Sequence, residues 1–219
     1  MIKAILFDLD GVIVDTAKYH YIAWKALAEE MGFEFTLAHN ERLKGVSRMT
    51  SLEILLEIGG VSKTDEEKKE LAERKNEHYR TFITKMKPDE ILPGMPEFLK
   101  GVKKAGLKAA IGSASKNTPT ILKQIELDTF FDAVVDGNKI AKAKPDPEVF
   151  LTGASELNVK PEECMVLEDA ASGIEAALNG GMYSVGVGSP DVLGKAHCVI
   201  AGFEGVSVES LIAKCMQKR

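Results

Sequence analysis

Two hydrophobic rhythms run through the chain. Short, nearly continuous apolar runs at 2–7, 107–111, 133–135, 165–167, 184–187 and 197–200 read as strands buried on both faces. Between them, stretches at 95–105, 118–127, 148–157 and 172–179 repeat apolar residues every three or four positions, several bounded by Gly or Pro, and read as helices. Strands alternating with helices predict an α/β fold with a doubly wound parallel sheet. One interval breaks the rhythm: about a hundred residues separate the first run from the second, far more than a crossover requires. That interval is itself helical in pattern. After Asp15-Thr16, read as a cap, Ala17, Tyr21, Trp24, Ala28 and Met31, with Leu27 beside them, follow helical spacing. Further helices are expected at 49–58 and 65–85, divided by Gly59-Gly60, and the charge-rich run 65–75 reads as a solvated face. Pro88, Pro93-Gly94 and Pro96 punctuate the return. The expected organisation is an α/β core over 1–14 and 89–219, interrupted by a helical insert over 15–88.

Composition adds limits rather than new elements. With 45% hydrophobic and 28% charged residues, the chain is neither collagenous, disordered nor membrane-spanning. A net charge of −5 speaks against a nucleic-acid or anionic-membrane partner, so any anion site must be local. The N-terminus reaches Asp8 without the apolar stretch of a signal peptide, and a cytoplasmic location is expected. Cys164, Cys198 and Cys215 are odd in number, widely spaced and free of any CxxC pattern, so reduced, packed thiols are expected.

The candidate chemistry sits at the ends of the predicted strands, where open parallel sheets bind ligands. Asp8 and Asp10 follow the first strand two residues apart, a spacing that lets both face one small volume. The second strand runs into Gly112-Ser113-Ala114-Ser115-Lys116-Asn117, a hydroxyl-rich turn ahead of a helix start suited to an anion. Lys144 stands before Pro145 after the third strand, and Glu168-Asp169 closes the fourth. Oxygen ligands from Asp8, Asp169 and Glu168 suit Mg²⁺, and no His or Cys cluster offers zinc chemistry. A cation, a Lys and hydroxyl donors around a carboxylate make a phosphoryl-transfer site. In it Asp8 can attack phosphorus while Asp10 serves as general acid and base.

These pieces, in this order, resemble the haloacid dehalogenase superfamily: Asp8-Leu9-Asp10-Gly11-Val12-Ile13-Val14-Asp15-Thr16, a Ser at the second strand end, a Lys before Pro and a late acidic pair. The resemblance spans the whole core. It implies a fold of that superfamily's type, with the insert as a type I cap. It also implies Asp8 as nucleophile and Mg²⁺ held by Asp8, the backbone carbonyl of Asp10 and Asp169, with support from Glu168. Ser113 and Lys144 would bind the transferring phosphoryl group. Asp10 separates this chain from the superfamily's transport ATPases, which typically carry Thr there. One departure is Ala170, where many relatives have Ser beside the metal acids.

The insert narrows the likeness. Thr16 to Lys25, Leu43-Lys44-Gly45-Val46-Ser47-Arg48 with Ser51, and Arg74-Lys75-Asn76 resemble the superfamily's sugar-phosphate mutases. That resemblance implies interconversion of β-D-glucose 1-phosphate and D-glucose 6-phosphate through an aspartyl phosphate and β-glucose 1,6-bisphosphate. It puts the distal phosphate on Arg48 with Ser115, Lys116 and Asn117, beside Ala114. The sugar would lie near Lys44, Gly45, Val46, Ser47, Ser51 and Lys75, with Trp24 in the same cap. Thr16 and His20 would couple cap closure to the orientation of Asp10. A planar Arg fork suits phosphate oxygens, and a closing lid suits an enzyme that must keep water from a phosphoaspartate. Small hexose phosphates are the expected partners of a monomer that binds neither nucleic acid nor membrane. A sugar-phosphate phosphatase of the same superfamily and a non-catalytic phosphosugar-binding protein remain as alternatives. Gly186-Val187-Gly188 lacks the third Gly of a dinucleotide loop and reads as a turn beyond the fifth strand.

Overall fold

A computed structural model describes residues 1–217; the last two residues of the expected core range lie outside them. Six parallel strands, β1 (Ala4–Phe7), β2 (Lys108–Gly112), β3 (Ala133–Val135), β4 (Cys164–Glu168), β5 (Tyr183–Val187) and β6 (Cys198–Ile200), form one sheet in the order β3-β2-β1-β4-β5-β6. The fold is the doubly wound α/β type that the sequence predicts. Its cause is visible in β1, buried at every residue. Ile5 and Phe7 join one core and Ala4 and Leu6 the other, because successive side chains of a strand leave opposite faces. The first core is covered by α5 (Met95–Lys104), α6 (Thr118–Gln124) and α10 (Val208–Met216), through residues such as Phe98, Ile121 and Leu211. The second is covered by α7 (Glu148–Glu156) and α8 (Ala171–Asn179), through Phe150, Ala154 and Ala177.

Between β1 and β2 come α1 (Ala17–Glu30), α2 (Leu37–Glu41), α3 (Arg48–Gly59) and α4 (Asp65–Ile83). They enclose an apolar cluster of their own, with Trp24 and Leu27 of α1, Leu52 and Leu55 of α3, and Leu71 and Ala72 of α4. Tyr79 and Ile83, further along α4, and Ala23 of α1 pack instead into the core beneath the sheet, which fastens the insert at its base. The charged residues of α4 do face solvent in the main, yet Lys75 and Asn76 are buried on the side turned inward.

Four expectations are corrected. Cys198 of β6 and Cys215 of α10 are not free thiols but form a disulfide, their Cα atoms 5.3 Å apart. Packing of α10 across the sheet edge brings the two together, and sequence spacing gives no sign of it; Cys164 is free and buried as expected. Thr16 occupies the cap position of α1, but its side chain makes no capping bond and donates to Asp10 instead. Gly186 and Val187 belong to β5 rather than to a turn, Gly186 pairing with Glu168. The helix expected at 118–127 stops at Gln124, because Glu126 adopts φ 59° in the left-handed region. Outside the expected elements lie α2, a short α9 (Pro190–Leu193), single turns at Pro88–Glu90 and Pro161–Glu163, and α10.

Candidate active site

The strand order reverses at β1 and β4, whose chains continue to opposite sides of the sheet, and a cavity of about 530 Å³ opens there between the strand ends and the inserted helices. Every residue given a role in the site from sequence lines this cavity except Thr16 and Glu168, which stand behind it, each fully buried. The pairing of β1 with β4 extends one residue further, Asp8 N donating to Leu167 O at 2.9 Å, which fixes Asp8 beside the acidic end of β4. The chain then turns sharply. Gly11 has φ 77°, its N–H closes on Val14 O at 2.7 Å, and a Cβ at this position would strike the Asp169 carboxylate.

Asp8 is buried beside Lys144, whose ammonium donates to it and, at 2.8 Å, to Glu168 Oε2. Burial disfavours the Lys144 charge, but Asp8 and Glu168 outweigh it and hold its pKa above the ordinary lysine value. Glu168 also accepts from Ala170 N at 3.1 Å, so the backbone of the Ala170 segment supports the acid. Burial, followed by the charge of Asp8, raises Glu168 and Asp169 above the usual carboxylate range. Asp10 is pushed up to about 7 by the same two causes in the same order, although part of its surface stays open to the cavity. Four acids around Lys144, with only Lys44 4.0 Å from Asp169 besides, leave this end of the cavity short of positive charge. Carboxylate oxygens of Asp8, Glu168 and Asp169 lie within 4.8 Å of one another, a hard-donor set that fits a divalent cation.

Ser113, the residue after β2, is nearly fully buried, and its Oγ accepts from Ser115 N at 3.1 Å. Ser115 Oγ in turn accepts from Asn117 N at 3.2 Å, so the two serines fold the turn that precedes α6. Opposite them stands the insert. Lys75 is buried, with Nζ 2.7 Å from His20 Nδ1 and 4.3 Å from the centre of the Trp24 ring. Burial, then the Arg48 charge, pulls Lys75 well below its usual value; His20 is lowered by burial, then by Lys75 and Arg48. Trp24 shares in the insert's own core and borders the cavity at 2% exposure. Lys44 Nζ lies 3.1 Å from Glu41 and 4.0 Å from Asp169, so the loop after α2 reaches the acids of the core. Ser47 caps α3 through Thr50 N, and Arg48, the first residue of that helix, reaches Glu73 at 2.9 Å. Arg74 turns away and pairs with Glu30.

Among the groups not foreseen, two matter for the site's chemistry. Tyr79 lies under His20, with ring centroids 4.0 Å apart. Glu73 sits one helical turn before Asn76, a spacing that could have flagged it; its ion pair with Arg48, 25 residues away, could not be read from sequence.

The family model for haloacid dehalogenase-like hydrolases matches residues 5–187. A β-phosphoglucomutase of Bacillus subtilis (strain 168) is 43% identical, over 99% of this chain and 97% of that protein. A phosphorylated carbohydrates phosphatase of Thermotoga maritima is 34% identical, over 84% of this chain and 83% of its own length. Among solved structures, β-phosphoglucomutase from Clostridium difficile is similar with a TM-score of 0.95 at 42% identity, covering 99% of this chain and 98% of that one.

Proposed function

The chain belongs to the haloacid dehalogenase-like hydrolase family, and on that premise we propose that it interconverts β-D-glucose 1-phosphate and D-glucose 6-phosphate. The observation that carries this reading is one cavity with two unlike ends. Asp8, Asp10 and Lys144 stand at the core end, and Arg48, Lys75 and His20 face them from the insert. A sugar bisphosphate needs both ends, one for the phosphate in transfer and one for the phosphate at rest.

In the proposed cycle a phosphorylated Asp8 meets β-glucose 1-phosphate. Asp10 takes the proton of the sugar 6-hydroxyl as its oxygen attacks phosphorus, the bond from phosphorus to the Asp8 oxygen breaks, and β-glucose 1,6-bisphosphate forms. With the bisphosphate turned round, Asp8 attacks the other phosphorus. Asp10 gives its proton to the departing anomeric oxygen, and glucose 6-phosphate leaves. A pKa near 7 suits a group that must both give and take a proton at neutral pH. Lys144 and Ser113 hold the phosphoryl oxygens, Arg48 with Ser115, Lys116 and Asn117 holds the resting phosphate, and Lys44, Gly45, Val46, Ser47, Ser51 and Lys75 border the sugar. Thr16, bonded to Asp10 and placed at the start of α1, ties that carboxyl to the first helix of the insert.

Mg²⁺ is the proposed cation, held by Asp8, Asp169 and the backbone carbonyl of Asp10 with Glu168 behind them, and it supplies charge that offsets repulsion between carboxylate and phosphate. The proposed units are a core of 1–14 and 89–219 and a cap of 15–88, in a monomeric cytoplasmic enzyme acting on hexose phosphates. Among the described residues no helix is long and apolar enough to cross a membrane.

Substitution tests the roles. Asp8→Asn should abolish turnover of β-glucose 1-phosphate, and Asp10→Asn should slow it by about 10² to 10⁴-fold. Full activity in Asp10→Asn would contradict the acid and base role.

A further inference from the structure

Arg48 already has a counter-anion. Its Nη1 donates to Glu73 Oε2 at 2.9 Å across the gap between α3 and α4. The other Glu73 oxygen accepts from Asn76 Nδ2 at 3.2 Å, and Asn76 Oδ1 accepts from Asn117 Nδ2 at 2.9 Å. This chain of bonds runs from the insert to the core turn ahead of α6, and all four side chains line the cavity that holds Asp8. Glu73 is the only acid that the insert contributes to that lining among the described residues. It stands amid cations whose mutual repulsion is felt on Lys75 and His20, both depressed in part by Arg48.

We propose that Glu73 sets how tightly the cavity holds the distal phosphate, because it occupies the Arg48 guanidinium when no phosphate is there and competes with phosphate for it. The inference rests on the proposed function for the identity of the ligand. Its physical basis is the difference between two carboxylate pairs. The pair of Lys144 with Asp8 and Glu168 is buried throughout, whereas the Arg48 and Glu73 side chains are 27% and 59% exposed. An ion pair that open to water is weak and gives way to a better anion. A phosphate dianion offers Arg48 more charge and a matching pair of oxygens. Glu73 therefore neutralises the cationic end of the cavity while it is empty and yields it on binding. A ligand with no phosphate at that end leaves the pair intact and does not meet this competition.

A double-mutant cycle tests this. Glucose 6-phosphate and, separately, inorganic phosphate are titrated against the fluorescence of Trp24, the chain's single Trp, in wild type, Glu73→Gln, Arg48→Ala and the double variant. Glu73→Gln should tighten the Kd by about two- to fivefold, the range open to an exposed ion pair. In the Arg48→Ala background the same change should leave Kd as it was. An unchanged or weaker Kd in Glu73→Gln overturns the proposal. So does an equal gain in the Arg48→Ala background, which would assign the effect to the net charge of the cleft rather than to the pair. The two ligands separate this failure from that of the proposed function. An Arg48-dependent gain for inorganic phosphate with no binding of glucose 6-phosphate contradicts the hexose phosphate reading and upholds the competition. Binding of glucose 6-phosphate with no such gain does the reverse.

Discussion

Asp8, Asp10, Glu168 and Asp169 share one small volume beside Lys144, with Lys44 4.0 Å from Asp169, and their burial and mutual repulsion have a consequence for stability. In the folded chain Asp10 titrates at about 7, against 3.8 for a free aspartate, and Asp169 and Glu168 are also raised. The folded state therefore holds more protons than the unfolded one across that interval. This contribution to stability is full below the unfolded pKa and is lost as pH rises towards 7 and beyond. A divalent cation needs the same carboxylates ionised, so its binding strengthens with pH. Melting temperatures taken in EDTA and in excess Mg²⁺, at about pH 5.5 and about pH 7.5, should show the larger metal-induced rise at the higher pH. A rise that shrinks with pH would contradict the assignment of the acids to a cation. These residues were legible in sequence because a spacing of two and a strand end suffice to aim them. Glu73 was not, since only the packing of α3 against α4 brings it to Arg48. Thr16 was legible as a helix start, and its link to Asp10 was expected only by resemblance; the periodicity gave no sign that its hydroxyl would turn from the backbone to that carboxylate.

The strands and the long helices follow directly from apolar rhythm, with ends shifted by a residue or two. What the rhythm leaves out is short or terminal. The five residues of α2 and the four of α9 span too little chain to establish a period. For α10 the signal was present, in Ser207 as a cap and in Val208, Leu211 and Cys215 on one face. Its disulfide to β6 is a tertiary fact. The bridge closes a loop between residues 17 apart, which by chain entropy is worth about 3 kcal/mol. Reduction should lower the melting temperature by roughly 5–10 °C. A thiol count on the unfolded, unreduced chain should find Cys164 alone, and reduction should release the other two. Three thiols before reduction would contradict the bridge.

Over the whole molecule, a net charge of −5 coexists with a cavity that gathers Lys44, Arg48, Lys75, Lys116 and Lys144 around the acids. Sequence order placed these cations near one another only by resemblance; the fold brings them together by laying the insert over the strand ends. Lys44 against Asp169 and Asn76 against Asn117 join insert and core on two sides of the cavity, so the insert is in contact with the core acids and the core turn at once. Such a cover suits a phosphoenzyme that must be discharged by a sugar rather than by water. The most direct test supplies Mg²⁺, β-glucose 1-phosphate and a trace of β-glucose 1,6-bisphosphate, and follows glucose 6-phosphate and inorganic phosphate together. The account predicts glucose 6-phosphate equal to the substrate consumed, with inorganic phosphate a minor product. Inorganic phosphate released as fast as substrate disappears would contradict it and make the protein a phosphatase.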